Sequence, residues 1–341
     1  MNLKELAEHL NLSQTTVSRA LNGYPEVKEA TRLRVEAAAR ANNYTPNGRA
    51  KSLATGRTMT VGHVIPLSKK HEMVNPVFGD FVTGAAESFL ASGYDLMLSL
   101  VEDGKEEEHY RTIKARGNVD GIIVHGPRMH DSRIELLNEL ELPFVVHGRA
   151  TDVTTPYSWI DMNNFRAFCR ATEFLITLGH KRIALINGLE FMDFAHRRKL
   201  GYLTALESAG IKPNHDYIAG GEMTEEHGYS NAMKMLDLPE PPTAFLTSSL
   251  VVALGVRRAL QDRNLVMGRD VSIITHDDDL GYLRNGGDVP IFTATRSSVR
   301  EAGRLGADML LDMIANPSDT PKQHLLEADM ILGGSTGPAP I

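Results

Sequence analysis

The sequence predicts an all-α headpiece joined to a larger α/β body whose parallel sheets form two lobes. Three observations lead there. Over the first 45 residues, apolar side chains recur at helical spacing in three short segments. From Met59 onward, short apolar runs alternate with helix-prone stretches, the pattern of βαβ units around parallel strands. That alternation comes in two series, with a break near residues 150–165.

Length and charge agree. A chain of 341 residues suits two or three domains and buries enough surface to need no disulfide or metal staple. Cys169, the single cysteine, excludes an intrachain disulfide framework and suits a reducing, cytoplasmic setting close to the nucleoid. The start MNLKELAEHL has no apolar signal core, and no apolar run approaches the ~18 residues of a membrane span. The net charge of −7 is uneven: residues 1–60 carry nine Lys or Arg against five Asp or Glu, a net of +4, leaving −11 for the remainder. A basic end on an acidic body suggests that one end alone approaches a polyanion, although a solvated surface gives the same count.

Leu3, Leu6, Ala7 and Leu10 mark a first helix, with Asn2 placed to cap it and Glu5 to complete a capping box. Asn11 and Leu12 break the pattern, and Ser13 can cap a second helix over Gln14 to Leu21, ending toward Asn22 and Gly23. Ala7, Leu12, Val17 and Leu21 supply the faces that lock the pair. Gln14, Thr15, Ser18 and Arg19 remain as a polar face near the second helix's N-terminus. Such side chains suit DNA: an amide matches adenine, a guanidinium matches guanine or phosphate, and a hydroxyl matches either. A third helix is expected from about Lys28 through Asn42, packed by Leu33, Val35, Ala38 and Ala39 and stopped by Tyr44 and Pro46. Ala50 to Ala54 favour one more helix, but a piece of barely two turns does not persist alone in water and needs a partner to order it. By spacing alone, three such helices also describe an ordinary helical subdomain.

In the body the apolar runs MTVGHVI, YDLMLSL, DGIIVHG and PFVVHGR alternate with helix-prone Phe78–Ser92 and Glu106–Arg116. A second series, KRIALING, HDYIAGG, TAFLTSS and DVSIITHDD, alternates with Phe165–Leu178, Arg198–Ala209, Glu225–Leu236 and Leu250–Gln261. The glycines at strand and helix ends form no GxGxxG or P-loop, so no nucleotide site is expected.

The order of residues adds a resemblance. The stretch from Leu3 to Asn22, LKELAEHLNLSQTTVSRALN, resembles the helix-turn-helix of the LacI family of bacterial transcription regulators. So do EAAARANNYTPN (36–47) and RAKSLATGR (49–57), and, more weakly, most of the body. The resemblance implies a helix-turn-helix domain over 1–45, a hinge helix and linker over 46–57, and a two-lobed periplasmic-binding-protein-like core over 58–341. The N-terminal lobe would take about 58–160 and 290–320 and the C-terminal lobe 161–289 and 321–332, with a flexible tail at 333–341. Gln14 and Thr15 fall at the main base-reading positions, with Thr16, Ser18, Arg19 and Asn22 around them as further base or phosphate contacts. Ser13, Thr31, Ala50 and Lys51 join the DNA contacts, Tyr44 and Asn47 fall where the family touches the backbone, and Leu53 falls at the residue that wedges between base pairs. A flexible linker with Leu53 packed on the body is the plainer alternative. The implied partners are a second copy of the chain and a near-palindromic double-stranded operator.

The resemblance also implies an effector between the lobes, near the C-terminal ends of strands. Arg198 and Asp277 align with effector-binding positions, and His71, Asn75, Phe78, His125, Arg149, Trp159, Phe194 and Ser249 are candidates beside them. Trp159 is the best stacking platform among the aromatics, which also include Tyr157, Phe191 and Phe292. Three departures bear on specificity. Ser249-Leu250 stands where relatives often have Asn-Asp, and Gly148 replaces the usual Asp before Arg149, with His147 and His276 alongside. Segments such as HVIPLSKKHEMVNPVFGDF and ALINGLEFMDFAHRR are most similar to rhizobial-type regulators of α-glucoside use. They imply a neutral α-linked disaccharide such as trehalose, maltose or sucrose, acting as inducer. The rivals are a sugar phosphate, which Arg149, Arg197 and Arg198 would neutralise, a purine-like corepressor, and more remotely a non-regulatory sugar-binding protein.

An enzyme needs a reactive constellation. Asp277, Asp278 and Asp279 with His276, and His125 with His130 and His147, come nearest. The sequence has no HExxH or EF-hand pattern, no GxSxG elbow and no base spaced to activate Cys169. Catalysis, metal and cofactor are not expected.

Overall fold

The protein is described here by a computed structural model covering residues 1–44, 56–66, 76–102 and 104–340. The hinge candidates Asn47, Ala50, Lys51 and Leu53, and the effector candidates His71 and Asn75, lie outside the described residues. Two compact units emerge: Met1–Met59 with Gly117–Val119, and Thr60–Arg116 with Asp120–Ile341.

The first unit is helical: α1 (Leu3–Leu10), α2 (Gln14–Leu21) and α3 (Glu29–Ala41). The Asn2 side chain accepts from the Glu5 amide at 3.0 Å and the Glu5 carboxylate accepts from the Asn2 amide at 2.9 Å, completing the expected capping box. Asn11 closes α1 in the left-handed conformation (φ 52°), which asparagine tolerates, and so turns the chain into α2. Ser13 Oγ caps α2 by accepting from the Thr16 amide at 3.0 Å. Leu6, Ala7, Leu10, Val17, Ala20, Val27, Val35 and Ala39 form the shared core. Leu33 departs from expectation. It is 53% exposed, because the buried stripe of α3 runs through Val35 and Ala39 and Leu33 lies off it.

The second unit has two sheets. The N-terminal lobe contains β1 (Thr60–Pro66), α4 (Pro76–Ala91), β2 (Asp95–Val101), α5 (Glu106–Arg116), β3 (Gly121–His125), α6 (Ser132–Glu139), β4 (Phe144–His147) and β5 (Ser158–Met162). The C-terminal lobe contains α7 (Asn164–Thr177), β6 (Ile183–Asn187), α8 (Asp193–Ser208), β7 (Ile218–Gly220), α9 (Glu225–Leu236), β8 (Ala244–Thr247), α10 (Leu250–Asp262), β9 (Ser272–His276) and β10 (Thr293–Arg296). The chain then returns through α11 (Val299–Ala315) and β11 (Gln323–Leu326) to the first lobe and ends its sheet pairing at β12 (Asp329–Ile331) in the second.

Strand order is β11-β5-β4-β3-β1-β2 in one sheet and β12-β10-β9-β8-β6-β7 in the other. Every pairing is parallel except β10 with β12. The central strands β6, β8 and β9 are buried at every residue, as strands covered by helices on both faces must be. Glycines let the helices close on one another. A Cβ on Gly84 would lie 1.9 Å from Arg300 O, and one on Gly303 2.1 Å from Phe81 O, so α4 and α11 meet backbone to backbone. Gly228 and Gly255 do the same for α9 and α10.

Two boundary expectations change. β10, assigned by sequence to the N-terminal lobe, extends the C-terminal sheet beside β9, and β11, assigned to the C-terminal lobe, pairs with β5. The last two crossings therefore fall at about 297 and 327. The tail is also ordered up to Pro340. Ser335 is fully buried; its amide carbonyl accepts from the Ile273 amide at 2.8 Å, and its hydroxyl accepts from the Thr293 amide at 2.8 Å. Ala339 donates to Leu178 O at 2.8 Å. Gly and Pro forbid regular structure in GGSTGPAP, but they leave its backbone free to pair with strand starts.

Candidate functional site

In the headpiece, Gln14 and Thr15 project from the first turn of α2, both exposed, with no hydrogen bond to another described residue. The neighbouring polar groups are partly committed. Ser13 Oγ and Thr16 Oγ1 lie 2.8 Å apart, Asn22 Nδ2 donates to Ser18 O at 2.8 Å, and Arg19 pairs loosely with Glu26 at 3.5 Å. Ser13 and Asn22 thus brace the ends of α2, while Gln14, Thr15 and Arg19 present outward. Thr31 is half-buried on α3, and Tyr44 packs on the core, where burial raises its hydroxyl pKa.

In the body, a cavity of about 470 Å³ lies between the lobes, within the ~300–1,000 Å³ usual for small-molecule sites. It opens at the C-terminal ends of the strands: His125 ends β3, His147 ends β4, Asp161 lies in β5, and Gly188 follows β6, Ser248 and Ser249 follow β8, Asp277 follows β9 and Ser297 follows β10. The starts of α7, α10 and α11 reach it through Asn164, Val251 and Val299.

Arg198 is its charged centre. The side chain is buried, donates from Nε to Asn164 Oδ1 at 2.7 Å and from Nη1 to Ser248 O at 2.8 Å, and brings Nη2 to 3.8 Å from Asp277 Oδ2. It lies between the Phe168 and Phe194 rings, 5.1 and 4.8 Å from their centroids. Gly188 makes room for this: a Cβ there would lie 2.8 Å from the Phe194 ring. Burial lowers the Arg198 pKa to about 10, so the group stays charged at neutral pH, with the Nη2 edge left for a ligand.

Asp277 takes the left-handed conformation (φ 52°) and accepts from the Ser297 hydroxyl. Burial raises its pKa. His276 Nδ1 and Thr295 Oγ1 lie 2.7 Å apart; His276 Nε2 lies 3.2 Å from Asp277 Oδ1 but without hydrogen-bond geometry. Burial first, and Arg198 second, hold His276 well below the usual histidine range, so it is neutral and that approach is no ion pair.

Of the sequence-derived effector residues, the structure brings His125, Phe194, Arg198, Ser249 and Asp277 to the cavity. It leaves out three. Phe78 is buried edge-on behind His63 and His125. Arg149 is turned onto Asp161, Nε to Oδ2 at 2.7 Å. Trp159 sits three residues short of the end of β5, where Arg149 covers it at 5.0 Å, so the expected platform lies off the cavity wall. Among the other aromatics, Phe292 is core and Tyr157 is buried with its hydroxyl accepting from the Ala150 amide. Sequence reading missed Asp161, Asn164, Ser248 and Ser297. SWIDM carries too mixed a pattern to read as a strand, so the strand end that presents Asp161 was hidden. Gly148 also gains a physical reason. Its φ of 111° and a would-be Cβ 2.6 Å from Pro127 admit no larger residue.

Among the described residues, no group of three or more His, Cys, Asp or Glu is placed to hold a metal, and no helix is long and apolar enough to cross a membrane.

Comparison with known proteins follows the same division. The family profile "Bacterial regulatory proteins, lacI family" matches residues 2–47, and the profile "Periplasmic binding protein-like domain" matches residues 172–336. The HTH-type transcriptional regulator AglR of Rhizobium meliloti (strain 1021) is 45% identical over 341 residues, covering 100% of this chain and 95% of that protein. A solved complex of the transcriptional regulator CelR with cellobiose is 27% identical, with a TM-score of 0.72 over 98% of this chain and 99% of that one. The lac repressor dimer bound to operator and the anti-inducer ONPF, 24% identical with a TM-score of 0.84 over 99% of each chain, shares the fold.

Proposed function

The chain belongs to the LacI family of bacterial regulatory proteins, and from that premise we propose that it is a DNA-binding repressor released from its operator by a neutral disaccharide. Gln14 and Thr15 read base edges, Arg19 and Lys51 hold the backbone, and two copies of the chain place two such helices on a near-palindromic site. The ligand occupies the cavity between the lobes. Its binding changes their relative poise, which is allostery only in so far as the ligand prefers one poise to the other.

One observation carries the choice of a neutral ligand. Two of the three arginines that would neutralise an anion are already engaged, Arg149 with Asp161 at 2.7 Å and Arg197 with Asp193 at 2.5 Å, and the third, Arg198, faces the Asp277 carboxylate at 3.8 Å. Among the described lining residues the carboxylates Asp161, Glu222, Glu225 and Asp277 outnumber the one guanidinium. Such a wall opposes a phosphate and suits hydroxyls, which both donate and accept. One relative supports the reading, CelR having been solved with cellobiose.

A thermal-shift screen of trehalose, maltose, sucrose, sugar phosphates and nucleobases tests the proposal, followed by operator release with each hit. A neutral disaccharide should raise Tm by mass action and free the operator, and R198A should abolish the shift. Stabilisation by a sugar phosphate alone would refute the neutral-ligand reading.

A further inference from the structure

Two histidines in the cavity wall have no part in the function proposed so far. His125 and His147 end neighbouring strands in register, and their rings meet Nδ1 to Nδ1 at 2.9 Å. So short a contact between ring nitrogens needs one proton between them, because two bare lone pairs repel and two N–H groups collide. One ring therefore carries its proton on Nδ1 and the other keeps Nδ1 bare. His147 is fixed further by Phe81, whose ring is stacked 4.2 Å away and 14° from parallel. Burial lowers the His147 pKa to about 4, so the ring is neutral at physiological pH. Both rings line the cavity.

We infer that the Nε2 edge of His147 reads one hydroxyl group of the effector, with His125 as the positioning residue that fixes its ring and tautomer. The inference rests on the cavity being the effector site. With Nδ1 committed, Nε2 is the one polar atom His147 has left. It is a donor if Nδ1 accepts from His125 and an acceptor if Nδ1 donates. A hydroxyl satisfies either state. A ligand with hydrogen in place of that hydroxyl leaves Nε2 without a partner, and sites built around a hydrogen bond discriminate strongly against analogues that lack it.

The test measures affinities of the full-length protein for trehalose, maltose and sucrose and for singly deoxygenated forms of whichever binds. Removing one particular hydroxyl should weaken binding about tenfold. In His147→Leu the parent sugar should fall by the same factor and that hydroxyl should become silent, while the others keep their effects. Imidazole nitrogen NMR at pH 7 should show one ring protonated at Nδ1 and the other at Nε2. In His125→Leu the His147 signal should become a tautomer mixture, and His125→Asn, which can still bond Nδ1, should restore a single form. Persistence of every hydroxyl effect in His147→Leu, or two rings both protonated at Nε2, overturns the inference. If a hydroxyl-bearing monosaccharide or nucleoside binds instead of a disaccharide, the disaccharide reading fails, and the deoxygenated series of that ligand decides the role of His147. Binding of no hydroxyl compound at all overturns both.

Discussion

Asp193, the first residue of α8 in the C-terminal lobe, holds Thr151 of the N-terminal lobe, its Oδ1 accepting from the Thr151 amide at 2.7 Å and from the Thr151 hydroxyl. Its other oxygen accepts from Arg197 Nε at 2.5 Å, and Arg197 Nη2 donates to the Thr151 hydroxyl at 2.9 Å. The Asp193 amide also donates to Pro127 O at 3.1 Å. A single carboxylate, 1% exposed, thus ties the two walls of the cavity at one edge.

Removing that carboxylate strands a guanidinium and a backbone amide at the lobe boundary. Breaking a buried charge pair costs about 3–5 kcal/mol, and here the cost falls on the contact between lobes rather than on either core. D193A should therefore enlarge the radius of gyration in solution scattering and weaken effector binding about tenfold, with each lobe still folded. T151V keeps the amide bond and should do less, about 1 kcal/mol. Scattering and affinity unchanged in D193A would show that the lobes are held elsewhere.

Ser335 gives a second expectation. Its hydroxyl donates to Ile273 O at 2.5 Å and accepts from the Thr293 amide, joining the starts of β9 and β10. S335A leaves a buried amide and carbonyl each short of a partner, at about 1–3 kcal/mol. Urea unfolding should show the midpoint falling without a change in m. An S335A midpoint equal to that of the parent would mean that the Ser335 hydroxyl contributes no net stability.

How much of this was legible in the sequence depends on what each element needs. The headpiece helices were legible because caps and turn residues are local: Asn2, Glu5, Asn11 and Ser13 act within three positions of themselves. So were the buried strands of the body, which are continuous apolar runs. β5, β10, β11 and β12 were not, because SWIDM, TATR, QHLL and DMI mix polar and apolar residues, and only their pairing partners make them strands. The same holds for the site. Arg198 and Asp277 were found by resemblance, whereas Asn164 reaches Arg198, and Asp161 the cavity, through a crossing between lobes that no local pattern encodes. Trp159 was misplaced because its being the one tryptophan says nothing about how far along β5 the cavity begins.

Gln14 and Thr15 lead to a third expectation. Their side chains have no partner among the described residues, so substitution should leave the headpiece fold intact and act on DNA alone. Q14A and T15A should each lose roughly 1–3 kcal/mol on the operator and little on scrambled DNA. K51A should weaken both equally and reduce the salt dependence. Equal losses on both DNAs for Q14A would assign it to the backbone instead.

Histidine burial sets the last expectation, the dependence of stability on pH. His147, His180, His227 and His276 are all held below the ordinary histidine pKa, burial being the largest cause in each. A histidine that stays neutral when folded and takes a proton when unfolded stabilises the fold fully above about pH 6.5, and that contribution is lost as pH falls from there. Each such ring adds up to about 1.4 kcal/mol per pH unit to the slope. Asp161 and Asp277, whose pKa values burial raises, work in the opposite sense, binding protons in the fold before the unfolded chain does. The net loss should therefore set in just below pH 6.5, before the carboxylates titrate. Urea midpoints at pH 7.5, 6.5 and 5.5 would show it. His180 is the ring to vary, since it lies outside the cavity and is held by Thr243 Oγ1 at 2.9 Å and Ser272 Oγ at 3.0 Å. H180Q should lower stability at pH 7.5 through the lost bonds yet flatten the fall toward pH 5.5, because a glutamine takes up no proton on unfolding. A slope as steep in H180Q as in the parent would show that His180 binds the same number of protons folded and unfolded.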